Sequence, residues 1–186
     1  MKIKWALNEL QKYQDSALAV DGSVDLEKSL KKRDDEIIAV SPVSLKGSLT
    51  VEEKSVYYVD LIVRVIITIP SSRSLEPVDV SMEIPFSEIY LAPDSPVSLE
   101  QFSEEELVER LSADILDLNK PIEDAILANK PSQVFTDEEL ETDDMPSGKD
   151  WIVLPEDQHN DDTNSSNDEG DPRFAILKDL FKDDNE

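Results

Sequence analysis

Val56 to Ile69 is a run of 14 residues interrupted only by Asp60, Arg64 and Thr68. It is too short and too charged to be the roughly 20-residue apolar helix that crosses a membrane. Its internal order is that of a strand. Tyr57, Val59, Leu61, Val63, Val65, Ile67 and Ile69 share one face at period two, while Asp60, Arg64 and Thr68 alternate with Val56, Tyr58, Ile62 and Ile66 on the other. A strand this long with one wholly apolar face has to lie in a sheet and be covered on that face.

The flanking segments repeat the alternation. Val43, Leu45, Leu49 and Val51 alternate with Ser44, Lys46, Ser48 and Thr50, and Val78, Val80, Met82, Ile84 and Phe86 alternate with Asp79, Ser81 and Glu83. The links, Glu52 to Ser55 and Pro70 to Pro77, are too short for a parallel crossover, so the three strands are expected to be antiparallel. The fold class this implies is α+β: a twisted meander from about 42 to 88, with the length to curl toward an open barrel, and short helices around it.

Before the meander, Asn8 and Gln11 have capping-box spacing for a short helix through Leu10 and Tyr13. Ala17 to Val20 and Glu36 to Val40 read as strands, with a helical turn over Asp25 to Arg33. After it, Ser103-Glu104-Glu105-Glu106 is a stronger capping box. Leu107, Leu111, Ile115 and Leu118 follow at helical spacing, which predicts an amphipathic helix. Pro121 is expected to open another, with Ile122, Ala125 and Ile126 inward, that stops by Pro131.

Charge separates the rest. The 186-residue chain has 18 Lys and Arg, 43 Asp and Glu, and a net charge of −25. Residues 1–92 hold 11 basic and 15 acidic side chains, whereas residues 93–186 hold 7 and 28. Residues 137–150 have seven acidic side chains and one Lys, and residues 156–171 have no Lys or Arg. Such stretches bury too little apolar area to offset a backbone ordering cost of about 1–2 kcal/mol per residue, so they are expected to be disordered. Trp151-Ile152-Val153-Leu154 is an apolar island between them. The chain closes on an amphipathic helix with Asp171 as N-cap, Pro172 at its first position, and Phe174, Leu177, Leu180 and Phe181 at helical spacing. The expected division is an α+β domain over 1–131, an acidic segment over 132–170 and a terminal helix over 171–182.

The functional inventory is narrow. With no Cys there is no disulfide, thiol nucleophile or thiolate zinc site, and one His, His159, cannot form a metal-binding pair. The four glycines are too scattered for a phosphate-cradling loop, and the acidic pairs Asp143-Asp144 and Asp161-Asp162 read as solvated charge. No enzyme activity, cofactor or resident metal is expected. The start turns polar at Asn8-Glu9 before an apolar signal region develops, which favours a cytoplasmic protein without membrane attachment.

Three segments carry a resemblance. Arg73-Ser74-Leu75-Glu76-Pro77 after a long strand, Asp114-Ile115-Leu116-Asp117-Leu118 leading to Pro121–Pro131, and Asp171-Pro172-Arg173-Phe174-Ala175-Ile176-Leu177-Lys178-Asp179-Leu180 resemble the bacterial YceD family of large-subunit ribosomal RNA accumulation proteins. Many members carry Cys-x-Arg-Cys-Leu where this chain has Ser71-Ser72-Arg73-Ser74-Leu75, and further cysteines in the region of 132–150. Only Arg73 and Leu75 carry over at those matching positions. The resemblance implies a role in making or accumulating large-subunit ribosomal RNA, hence in ribosome assembly, and does not imply a reaction. Arg73, Leu75, Trp151, Asp171, Pro172, Arg173, Phe174 and Leu177 are the expected partner-binding residues. The acidic half suits a basic ribosomal protein or a pre-ribosomal large-subunit particle. RNA contact through the first domain requires Lys2, Lys4, Lys28, Lys31, Lys32, Arg33, Lys46 and Arg73 to share a face. An acidic nucleic-acid mimic that inhibits a DNA- or RNA-binding protein is the alternative.

Overall fold

The computed structural model describes residues 1, 3–141, 147–149 and 151–152. The chain divides into two units, Met1–Glu138 and Glu139–Glu186. The first is α+β, built on the expected meander. Val43–Glu52 (β4), Val56–Pro70 (β5) and Pro77–Leu91 (β6) pair antiparallel, with Leu61 opposite both Gly47 and Phe86. Leu18–Val24 (β2) adds antiparallel to β4, and Ala39–Val40 (β3) pairs with β5 beyond the start of β4. Val108–Arg110 (β7) closes the other side as a parallel neighbour of β6. The order is β2-β4-β5-β6-β7, and the sheet stays open.

The period-two reading of β5 holds along its length. All seven residues from Tyr57 to Ile69 on the predicted inner face are buried, and Asp60, Arg64 and Ile66 on the other face are exposed. The inner face is covered by three short helices and a small ribbon. Leu7–Leu10 (α1) contributes Leu7 and Leu10, Glu27–Arg33 (α2) contributes Leu30, and Asn119–Ala128 (α3) contributes Ile122 and Ile126 to one core. Lys4–Ala6 (β1) pairs antiparallel with Ile115–Asp117 (β8), which brings Leu116 into the same core. A second, smaller cluster of Val56, Ile89, Leu91 and Val97 lies apart from it, with Tyr58, Phe102 and Val108 packed against it.

Several local expectations are corrected. Residues 107–118 form no helix: Leu107 is 66% exposed and Ile115 43%, while Leu116 and Leu118 are fully buried, so the four-residue spacing does not describe one face. The Ser103–Glu106 signal is real but local. Glu106 Oε2 accepts from Ser103 N at 2.8 Å and from Ser103 Oγ at 3.0 Å, and the chain then leaves the turn because the edge of β6 offers better partners. Ile89 N donates to the Leu107 carbonyl at 2.8 Å, and Leu111 N donates to the Leu91 carbonyl at 2.9 Å. α1 starts at Leu7 behind Ala6, with no side-chain cap, so the Asn8–Gln11 pair does not open it. The strand expected over 36–40 is reduced to Ala39–Val40. Within the acidic stretch expected to be disordered, Asp137–Glu141 (α4) is helical; residues 142–146 and 156–170 and the terminal Asp171 helix lie outside the described residues.

Candidate functional site

The β5–β6 hairpin presents the first candidate pair at its tip. Ser71, 1% exposed, organises the loop: its Oγ accepts from Arg73 N at 3.0 Å and Ser74 N at 3.4 Å, while its N donates to the Glu76 carbonyl at 2.7 Å. Leu75 N returns to the Ser71 carbonyl at 3.2 Å. The loop is also tied to the segment after α3. Ser72 N donates to the Val134 carbonyl at 2.8 Å, and Val134 N donates to Ser72 Oγ at 3.1 Å. Arg73 and Leu75 therefore differ in what they present. The Arg73 guanidinium lies 4.7 Å from the centroid of Phe135, a cation–π contact that lays it against its own chain. Leu75 stands 72% exposed, held at φ 65.

The other sequence candidates are spread out or undescribed. Ser147–Gly148 (β9) and Trp151–Ile152 (β10) form a two-residue antiparallel ladder, in register with Trp151 paired to Gly148. Asp171, Pro172, Arg173, Phe174 and Leu177 lie outside the described residues. Among the cations, Lys28, Lys31, Lys32 and Arg33 belong to α2, whereas Lys4, Lys46 and Arg73 belong to β1, β4 and the hairpin tip. Several have carboxylate partners: Lys4 Nζ lies 2.8 Å from Asp117, Lys31 lies 3.7 Å from Glu27, and Arg33 bonds both Glu123 and Asp124.

A feature that residue patterns did not single out lies at the opposite end of β5. Two cavities of about 330 and 310 Å3 adjoin at Tyr58 and Glu106 and make one groove. Its floor comes from the outer side of the small apolar cluster, through Val56, Ile89, Val97 and Phe102. Glu52 and Glu53 of the β4–β5 turn stand on one side, with Glu105 and Glu106 on the other. Tyr58 is half-buried between them. Burial first, then the carboxylates of Glu52, Glu106 and Glu53, push its phenol above the usual tyrosine range. The available signal was the pairing of an aromatic on the polar face of β5 with Glu52-Glu53 just upstream.

A third cavity, about 500 Å3, lies where α1 meets the β4–β5 turn and is lined by Asn8, Gln11, Lys54, Asp94 and Asp114 among others. Among the described residues no three His, Asp or Glu side chains are grouped to hold a metal ion, and no helix is long and apolar enough to cross a membrane.

A family model described as large ribosomal RNA subunit accumulation protein YceD matches residues 59–181, which begins within β5 and includes the hairpin tip. The chain belongs to the YceD family. It is also 28% identical to "Uncharacterized protein YlbN" of Bacillus subtilis (strain 168) over 185 residues, 99% of each chain. No solved structure matches. The YceD description attaches the family to the accumulation of large-subunit ribosomal RNA, and so to ribosome biogenesis. At the two positions where the resemblance placed cysteines in other YceD members, this chain has Ser71, which organises the loop, and Ser74, whose Oγ accepts from Glu76 N at 3.3 Å.

Proposed function

We propose that this YceD-family chain is a non-enzymatic, cytoplasmic ribosome biogenesis factor that promotes synthesis or accumulation of large-subunit ribosomal RNA by binding a basic ribosomal protein or assembly intermediate. The family match over residues 59–181 carries the reading. The sign of the partner follows from a net charge of −25, which repels phosphate and attracts the lysine- and arginine-rich surfaces of ribosomal proteins. Leu75 and the terminal residues Asp171, Pro172, Arg173, Phe174 and Leu177 are the contacts proposed beyond charge.

Gradient sedimentation of a deletion strain tests the role. A deficit of large subunits relative to small ones is expected, and a normal profile overturns it. A pull-down from nuclease-treated lysate tests the partner: a ribosomal protein retained without RNA supports direct contact, and loss of all of them removes it. The nucleic-acid-mimic reading is favoured by one observation: the first unit alone holds 14 Lys and Arg against 27 Asp and Glu, so negative charge is spread over folded surface as well as the tail. Inhibition of a nuclease in vitro, combined with a normal ribosome profile, decides for it.

A further inference from the structure

We propose that the groove on the outer side of the sheet, between the β4–β5 turn and the Phe102–Leu107 segment, is the docking site for an extended cationic peptide segment, with an arginine side chain seated against Tyr58. The proposal supplies a location on this chain for the basic partner and rests on that reading for the partner's origin.

The first observation is shape: two adjoining cavities of about 330 and 310 Å3 give a trough of the size that takes side chains from one extended strand. The second is its layered chemistry. Phe102 and the ring of Tyr58, partly buried over Val56 and Val97, offer apolar surface to the aliphatic stem of Arg or Lys, while Glu52, Glu53 and Glu106 line the same cavity and supply carboxylates for a charged head. The guanidinium plane matches both a ring face and a carboxylate, which makes Arg the better fit than Lys. The third is that no cation among the described residues answers that charge: Ser103 donates to Glu106 and the Tyr58 phenol to Glu52, but both partners are neutral. Among the described residues no Lys or Arg lines either cavity, although elsewhere in the first unit carboxylates have close partners, as Glu83 has in Arg64 at 2.6 Å. An RNA strand is the wrong occupant, because Asp60 and Glu105 extend the same negative field along the trough. An extended occupant is favoured by the neighbouring edge of β6. β7 pairs only with Ile89 to Leu91, so among the described residues no strand flanks Pro77–Glu88 on that side.

The test is fluorescence anisotropy of a labelled peptide of alternating arginine and leucine, titrated with the full chain at physiological ionic strength. The double variant Glu52→Gln/Glu106→Gln keeps an acceptor for Ser103, and an unchanged melting curve confirms that it is folded. It is expected to weaken the peptide by about tenfold, the loss of two partly covered charge pairs. Tyr58→Leu, which keeps the bed apolar, is expected to weaken an arginine peptide more than its lysine counterpart. The control Asp161→Asn/Asp162→Asn removes the same charge from the tail and is expected to change affinity less than about twofold. Equal losses from groove and tail variants, or tighter binding of a single-stranded RNA oligonucleotide that the groove variant abolishes, overturn the groove assignment. Those results leave the basic-partner reading standing as long as the unaltered chain binds the peptide.

Discussion

Lys130, just past α3, reaches the loop behind α2: its Nζ lies 2.5 Å from Asp34 Oδ2 and 2.7 Å from Glu36 Oε2. The Lys130 and Asp34 side chains are only 17% and 19% exposed, so this pair is screened less than the surface pairs of α2. The hydrogen bond from Lys130 holds Asp34 below the usual aspartate range against the opposing effect of burial, and the Glu36 amide adds to it. A carboxylate depressed in the folded state contributes stability above its unfolded value of about 3.9, and that contribution is lost as pH falls through the lower folded value. Lys130→Met is expected to cost about 1–2 kcal/mol at neutral pH. Urea unfolding at a series of pH values checks it: the gap between the two proteins should close as pH drops below about 4. A gap that stays constant would place the loss in packing instead of charge.

At the element scale the sheet turns on one close approach. A Cβ on Gly47 would lie 2.0 Å from the Asp60 carbonyl oxygen and 2.8 Å from Leu61 Cα, backbone atoms of β5 that the sheet holds in place. Gly47→Ala is therefore expected to destabilise by about 2–3 kcal/mol, read as a shift of the denaturant midpoint; a shift under half of that would show that β4 yields at this point. The adjoining turn gives the opposite sign. Glu53 and Lys54 both have positive φ, 49 and 60, and the Ser55 amide closes on the Glu52 carbonyl at 3.1 Å, the pattern of the tight turns that suit hairpins. Lys54→Gly relieves the side-chain clash of that conformation and is expected to raise stability by about 0.5–1 kcal/mol, whereas a lower midpoint would mean the extra freedom of the unfolded chain outweighs it. These elements were legible because a strand with one fully buried face writes period two into its own residues, as Tyr57 to Ile69 do. α3 was legible for a similar reason: Pro121 near its start, with Ile122 and Ile126 four apart, is a local record of its inner face. Residues 103–118 misled because their local signals and their partner disagree. The capping pair forms, but Val108 is claimed by Ile89, some twenty residues earlier, and Arg110 donates to the carbonyls of Ala92, Ser95 and Val97. No window of sequence contains both sides of such a choice. The groove was hidden in the same way, since Glu52 and Glu106 meet only after β7 has docked.

For the whole molecule, the position of the charge matters more than its sum. Dividing the sequence at residue 92 assigns most of the acidity to the tail, but the first structural unit runs to Glu138 and takes in Glu100, Glu104, Glu105, Glu106 and Glu109. It carries 14 Lys and Arg against 27 Asp and Glu, a net of −13, while residues 139–186 carry 4 against 16, a net of −12. The near-balance of residues 1–92 is thus not a property of a folded body, and both units draw cations. A basic ribosomal protein should approach in a field set by the whole chain, with an association rate that falls on the order of tenfold from low to physiological ionic strength while dissociation changes far less. Stopped-flow mixing with a purified basic ribosomal protein at several salt concentrations measures both. Neutralising the Asp and Glu residues of 156–171 should lower the low-salt rate and flatten its salt dependence in part, because the −13 of the first unit remains. A rate that loses all salt dependence in that variant would assign the steering to the tail alone, and a rate without salt dependence in the unaltered chain would remove charge as the ground for proposing a basic partner.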